Sequence, residues 1–202
     1  MRVDFSPPDI TDAECQEVLD ALQSGWITTG PRTKSLEKRV AERCGTSRAV
    51  CLNSATASLE LTLRVLGIGP GDEVIVPAYT YTASASPVVH VGATPVLVDA
   101  GEADGGYGLD PSVLAGAITP RTKAVIPVDI GGRMCDYAGL REVVDSQRHL
   151  FAASSPVQEA LGRIALVADG AHSFGARRDG TPSGSAADFT TFSFHAVKNL
   201  TT

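Results

Sequence analysis

From about residue 49 the chain settles into a rhythm that limits its fold more than any other feature. Short, continuously apolar runs, "AVCL", "EVIVP", "PVLVD", "AVIPV", "IALVAD" and "FTTFSF", alternate with stretches long enough for helices. Runs this short and this uniformly apolar suit strands covered on both faces, and the intervening stretches supply the crossovers that parallel strands require. The expected fold class is α/β: a mostly parallel sheet with helices on both faces. Helices are expected over 56–66, 83–91, 111–118 and 137–147. Ahead of this core, "TDAECQEVLDALQSG" sets Thr11 and Glu14 in capping-box relation and repeats Cys15, Val18, Leu19 and Leu22 at helical spacing. Another helix is expected over 35–43, after the breaker "TTGP". The segment 146–163 reads as an excursion, either a lid or a surface insertion.

Composition excludes several classes of function. A chain of 202 residues, 43% hydrophobic, can bury a core of one α/β domain or slightly more. Its net charge is −6, with 17 Lys and Arg scattered along the sequence, so no basic face offers itself to nucleic acid or anionic lipid. No apolar run approaches the roughly 20 residues of a membrane span, and "MRVDFSPPDI" has no leader pattern. No membrane partner is expected, and the cytoplasm is the expected location. Cys15, Cys44, Cys51 and Cys135 show no C-x-x-C spacing, and His90, His149, His172 and His195 show no helical pairing, so no metal site is expected.

In open α/β sheets ligands bind beyond the carboxyl ends of the strands, so the residues that follow each apolar run carry the interest. After "AVCL" comes "NSATAS", where Ser54 either caps a helix or helps its first turn receive an anion. "AYTYTAS" follows "EVIVP", and its Tyr79 and Tyr81 can stack on a flat ligand or pack on a neighbouring loop. "IALVA" leads to Asp169, which can hold a positive partner or cap a turn. "FTTFSF" leads to His195 and Lys198. An anion cradle, an aromatic surface, a carboxylate and an amine together are what pyridoxal 5'-phosphate (PLP) needs.

The ordered set "NSATASLELTL", "GDEVIVPAYTYTASA", "GATPVLVD", "LDPSVLAGAITPRTKAVIPV", "ADGAHSFGA" and "FSFHAVKNLTT" resembles the DegT/DnrJ/StrS-type sugar aminotransferases, PLP enzymes of fold type I. The resemblance runs over essentially the whole chain. It implies that Lys198 attaches the cofactor and then moves protons, that Asp169 holds the ring nitrogen protonated, and that Tyr81 stacks on the ring. It further implies that Ser54, Ala55 and Thr56 bind the phosphate with Ser193, and that His172 lies near the phenolic oxygen. The implied reaction takes an amino group, typically from glutamate, to a keto group of a nucleotide-linked sugar, in amino-sugar, cell-surface polysaccharide or antibiotic biosynthesis. In related dehydratases histidine replaces this lysine, so Lys198 points to transamination; a PLP-dependent dehydration and an inactive cofactor-binding fragment are the alternatives. Family members are homodimers.

Departures from the family pattern are Ala55 in place of the commoner glycine, Gly170 where alanine is frequent, and a longer link at 146–163. Residues 1–202 are expected to form an incomplete PLP-binding large domain, with N-terminal helices over 1–48 and the α/β core over 49–202. The C-terminal small domain of the family is expected to be absent.

Overall fold

The computed structural model describes residues 6–101 and 107–202; the first five residues of "MRVDFSPPDI" lie outside the described set. The chain divides into two compact units, one of residues 1–51 with 194–202 and one of residues 52–193.

The larger unit carries a five-stranded parallel sheet of order β2-β1-β3-β4-β7. Its strands are β1 (Glu73–Pro77), β2 (Thr94–Val98), β3 (Thr122–Val125), β4 (Ala165–Asp169) and β7 (Phe189–Thr191). A separate antiparallel pair, β5 (Arg177–Arg178) with β6 (Thr181–Pro182), lies between β4 and β7 in sequence. Helix α3 (Ala55–Val65) precedes β1, and the crossovers contain α4 (Thr82–His90), α5 (Pro111–Ala117), α6 (Tyr137–Ser146), α7 (Pro156–Leu161) and α8 (Ser183–Ala186).

Period-two alternation sends the strand residues to opposite faces. Val74 and Val76 join Leu59, Leu63, Leu66 and Val88 in one core, on the side of α3 and α4. Ile75 joins Leu114, Leu140 and Val144 in the other, on the side of α5 and α6. Because β1 leads to β2 on one side while β3 returns to the other, the strand order reverses between β1 and β3, and in sheets of this kind ligands bind at the carboxyl ends of the strands beside such a reversal.

Most expected helices fall within a residue or two of their observed bounds, including 83–91, where α4 forms despite Pro87. The run "AVCL" is a correction: residues 49–52 form no strand, and Val50 and Leu52 are exposed. The excursion 146–163 is no lid over the carboxyl edge. Ser155 Oγ and Gln158 Nε2 donate to the Leu66 carbonyl at 2.7 and 2.9 Å, and Lys123 Nζ donates to the Ala152 carbonyl at 2.6 Å. Leu66 closes α3 and Lys123 lies early in β3, so the excursion is fastened at the amino end of the sheet. Gly67 permits the approach: its φ is +74° and an added Cβ would stand 2.7 Å from Ser155 Cβ.

The smaller unit contains α1 (Asp12–Gln23) and α2 (Pro31–Cys44). The capping box of α1 is formed, with the Thr11 N–H donating to Glu14 Oε2 at 2.7 Å. Expected to begin at 35, α2 begins four residues earlier, since Pro31 sits in the first turn, where its missing N–H costs nothing. Its apolar face buries Val40, Ala41 and Cys44, whereas no residue of α1 is buried.

Candidate functional site

The carboxyl edge of the sheet gathers the chemistry of the larger unit. Asp169 ends β4 and is 6% exposed. Its Oδ2 accepts from Ser84 Oγ at 2.7 Å, and its Oδ1 accepts from the Ala171 N–H at 3.1 Å. The turn-capping reading of the sequence holds, since Asp169 Oδ1 organises the turn that follows it, while its second oxygen faces a hydroxyl from α4. Both donors are uncharged, so neither supplies the positive charge that a buried carboxylate favours in a partner.

A second buried carboxylate stands next to it. Asp129 follows β3; its Oδ1 accepts from Tyr137 Oη at 2.9 Å and from the Cys135 N–H at 3.0 Å, and its Oδ2 accepts from Ser173 Oγ at 2.7 Å. The main chains join as well, the Asp129 N–H donating to the Asp169 carbonyl at 3.0 Å. Burial raises the Asp129 carboxyl above the ordinary range, against the opposing bonds from Ser173, Cys135 and Tyr137, and the nearby charge of Asp169 adds to the rise. Burial also lifts the Cys135 thiol to about 12, helped by the Asp129 charge, so that sulfur is a poor nucleophile. Sequence reasoning misses Asp129, although it follows "AVIPV" just as directly as Asp169 follows "IALVA".

Near the same edge, α3 begins. Its far end is tied to the segment ahead of β4 and turns into the start of β1, so its first turn faces the carboxyl side. Ser54 caps the helix, its Oγ accepting from the Ala57 N–H at 3.1 Å. That bond leaves the hydroxyl proton of Ser54 as a donor. Ala55 takes an ordinary helical backbone, so the methyl group in place of hydrogen brings no strain there. The first-turn N–H groups, those of Ala55 and Thr56 among them, have no acceptor within an α-helix and carry the positive end of its dipole.

Tyr81 is the N-cap of α4 and is 80% exposed, its ring open to a flat ligand. Tyr79 lies instead against Tyr107, ring centroids 5.5 Å apart. His172 is exposed in the turn after β4, and its Nδ1 accepts from the Gly131 N–H at 3.2 Å. A neutral His172 therefore carries its proton on Nε2. Ser193 stands two residues after Thr191, which pairs with Asp169 in the ladder.

Lys198 belongs to the smaller unit. It is half-buried on a turn, its N–H donating to the His195 carbonyl at 2.8 Å. The surrounding segment is tied by Thr201 Oγ1 to the Phe194 carbonyl at 3.1 Å and by Ser6 Oγ to the Val197 carbonyl at 3.1 Å. It is thus no loose, solvated tail.

The donor set fits a ligand that is anionic at one end, where helix amides and hydroxyls collect, and cationic on a flat ring at the other. Among the described residues no cluster of His, Cys, Asp or Glu suits a metal ion, and no helix is long and apolar enough to cross a membrane.

Comparison with known proteins places this arrangement. The chain is 41% identical over 199 residues to the spore coat polysaccharide biosynthesis protein SpsC of Bacillus subtilis, covering 98% of this chain and 46% of that protein. It is 39% identical over 202 residues to GDP-perosamine synthase of Caulobacter vibrioides, covering 100% of this chain and 50% of that one. The PLP form of Spr1654 from Streptococcus pneumoniae, described as a sugar aminotransferase, superposes with a TM-score of 0.96 at 58% identity, over 100% of this chain and 51% of that one. The chain thus spans about half the length of the curated relatives it matches. Residues 8–202 match the model of the DegT/DnrJ/EryC1/StrS aminotransferase family, and the chain belongs to that family.

Proposed function

We propose that this chain binds PLP and serves an aminotransferase that moves an amino group from an amino acid, glutamate, to a keto group of a nucleotide-linked sugar. Asp169 carries the reading: a buried carboxylate held by two neutral donors at the carboxyl end of a parallel strand. Family membership and the relatives that make sugar-containing products support the substrate class.

Bound PLP supplies an electron sink for negative charge on the substrate carbon and holds the amino group between the two half-reactions. The protein's part divides among named residues. First-turn amides of α3, with Ser54, Thr56 and Ser193, hold the phosphate. Asp169 keeps a proton on the ring nitrogen through charge and hydrogen bonding. Tyr81 covers a ring face, and His172 offers its Nε2 proton to the phenolic oxygen. Lys198 supplies the anchoring amine and, when released, its Nζ carries the proton that substrate carbon loses and regains. Residues 1–202 act as the cofactor-binding large domain, with the α/β core from 49, and the working unit is a cytoplasmic homodimer.

An absorbance spectrum of purified protein with PLP tests the proposal, with Lys198→Ala alongside and borohydride reduction followed by peptide mapping. The expected result is a visible absorbance band that is lost in the variant, with reduced cofactor mapped to Lys198 in the wild type. Cofactor spread over surface lysines, with the band retained in Lys198→Ala, sinks the reading.

A further inference from the structure

A chain of hydroxyls behind Asp169 goes beyond these assignments. Ser84 Oγ lies 2.7 Å from Asp169 Oδ2 and 2.7 Å from Thr80 Oγ1, and Ser84 is 1% exposed. A hydroxyl has one proton and an ionised carboxylate has none to offer. With Asp169 ionised, Ser84 donates to Asp169 and Thr80 must donate to Ser84, which fixes the direction of the whole relay. The relay reaches across the end of β3, which lies between β1 and β4 in the sheet.

Simple burial of a helical serine does not account for this geometry. A serine within a helix commonly returns its proton to a carbonyl one turn back. Ser84 instead sends it to a residue 85 positions away. The Ala171 N–H holds the other carboxylate oxygen, so rotation of the Asp169 carboxylate breaks two bonds at once. Asp129 and Asp169 also repel one another when both are charged, and hydrogen bonds donated to an ionised carboxylate counter that repulsion.

We propose that Thr80 and Ser84 are positioning residues for Asp169, orienting its carboxylate so that the shared proton stays on the ring nitrogen of the cofactor. This rests on the reading of Asp169 as the ring-nitrogen partner. Loss of the Ser84 hydroxyl removes a donor that only the ionised carboxylate can use fully, and moves the shared proton from nitrogen toward oxygen.

The test loads the purified protein with PLP labelled with 15N in the ring and reads the nitrogen chemical shift in wild type, Asp169→Ala, Ser84→Ala, Ser84→Thr and Thr80→Val. PLP affinity is measured in parallel. Asp169→Ala moves the signal furthest toward the unprotonated position. Ser84→Ala moves it part of the way and weakens PLP binding about tenfold, Ser84→Thr restores both, and Thr80→Val gives a smaller shift of the same sign. Weaker binding with an unmoved nitrogen signal in Ser84→Ala means a merely structural role and overturns the inference while Asp169 keeps its assignment. A signal unmoved in Asp169→Ala, or a wild-type chain that takes up no PLP, overturns the assignment and the inference together. Should Ser84→Ala not fold, Thr80→Val decides by the same reading.

Discussion

The two ends of the central sheet treat buried charge in opposite ways. At the amino end, Glu73 opens β1 and meets the Thr119 hydroxyl and Arg121, whose Nε donates at 3.0 Å. Asp188, just ahead of β7, takes paired bonds from Arg141 at 3.1 and 3.0 Å and from Arg163 at 2.8 and 2.7 Å. At the carboxyl end, Asp129 and Asp169 are held by hydroxyls and amides. The acidities follow. Bonding from Thr119 and Arg121 holds the Glu73 carboxyl below the ordinary range despite burial. Burial works against the Asp188 carboxylate too, yet Arg163 and Arg141 bring it down to about 2. Asp129 moves the other way, upward, chiefly through burial. Carboxylates that only build the fold are paired with arginines in place; those at the carboxyl end meet only uncharged donors, which leaves a cationic ligand as the missing partner.

The largest effect expected from this contrast belongs to Asp169→Ala. On the proposed function, loss of the carboxylate should cut amino-group transfer by about 10²–10³-fold while the urea unfolding transition of the larger unit persists. Retained turnover would break the comparison, because the carboxyl end would then hold no working charge.

Next comes Asp188→Asn, with an expected destabilisation of about 2 to 3 kcal/mol at pH 7. The folded pKa of Asp188 is lowered, so its contribution is complete above the unfolded value of about 3.9 and disappears as pH falls through about 2. Urea titrations of wild type and variant should therefore converge between pH 4 and pH 2. A gap constant with pH would mean that packing, and not the arginines, accounts for the loss. Glu73→Gln should cost less, roughly 1 kcal/mol, because its partner Arg121 has a side chain 64% exposed and open to salt.

Much of the sheet was legible from sequence because apolar runs and helix signals alternate without conflict. "AVCL" misled for a physical reason: a continuous apolar run records burial preference, not hydrogen bonding, and this one falls where the two units meet in sequence. Asp169 was visible as a carboxylate at the mouth of a strand. Asp129 satisfies the same rule, directly following "AVIPV", although β3 itself already ends at Val125. Thr80 and Ser84 carried no sequence signal at all. Their link to Asp169 exists only because the sheet order sets β1 and β4 on either side of β3. The excursion 146–163 announced its length but not its end of the sheet, which the Leu66 and Lys123 bonds decide.

The smallest effect asks whether the carboxyl end is as firmly packed as the amino end is firmly paired. Gly170 follows Asp169 with no positive φ, so alanine is permitted by the backbone. An added Cβ would stand 3.0 Å from Phe192 Cε1, 3.0 Å from Ser173 Oγ and 3.1 Å from Thr190 Cγ2. Phe192 is itself held edge-on by Phe174, centroids 5.2 Å apart and planes at 85°, and Ser173 is committed to Asp129. Overpacking costs about 1–3 kcal/mol, and the stiffer unfolded chain returns about 0.4–1 kcal/mol. Gly170→Ala should thus lose on the order of 1 kcal/mol in urea unfolding. A gain in stability would mean that the aromatic pair and Ser173 yield freely, and that Asp169 is steadied by its hydroxyl relay and turn alone rather than by close packing behind it.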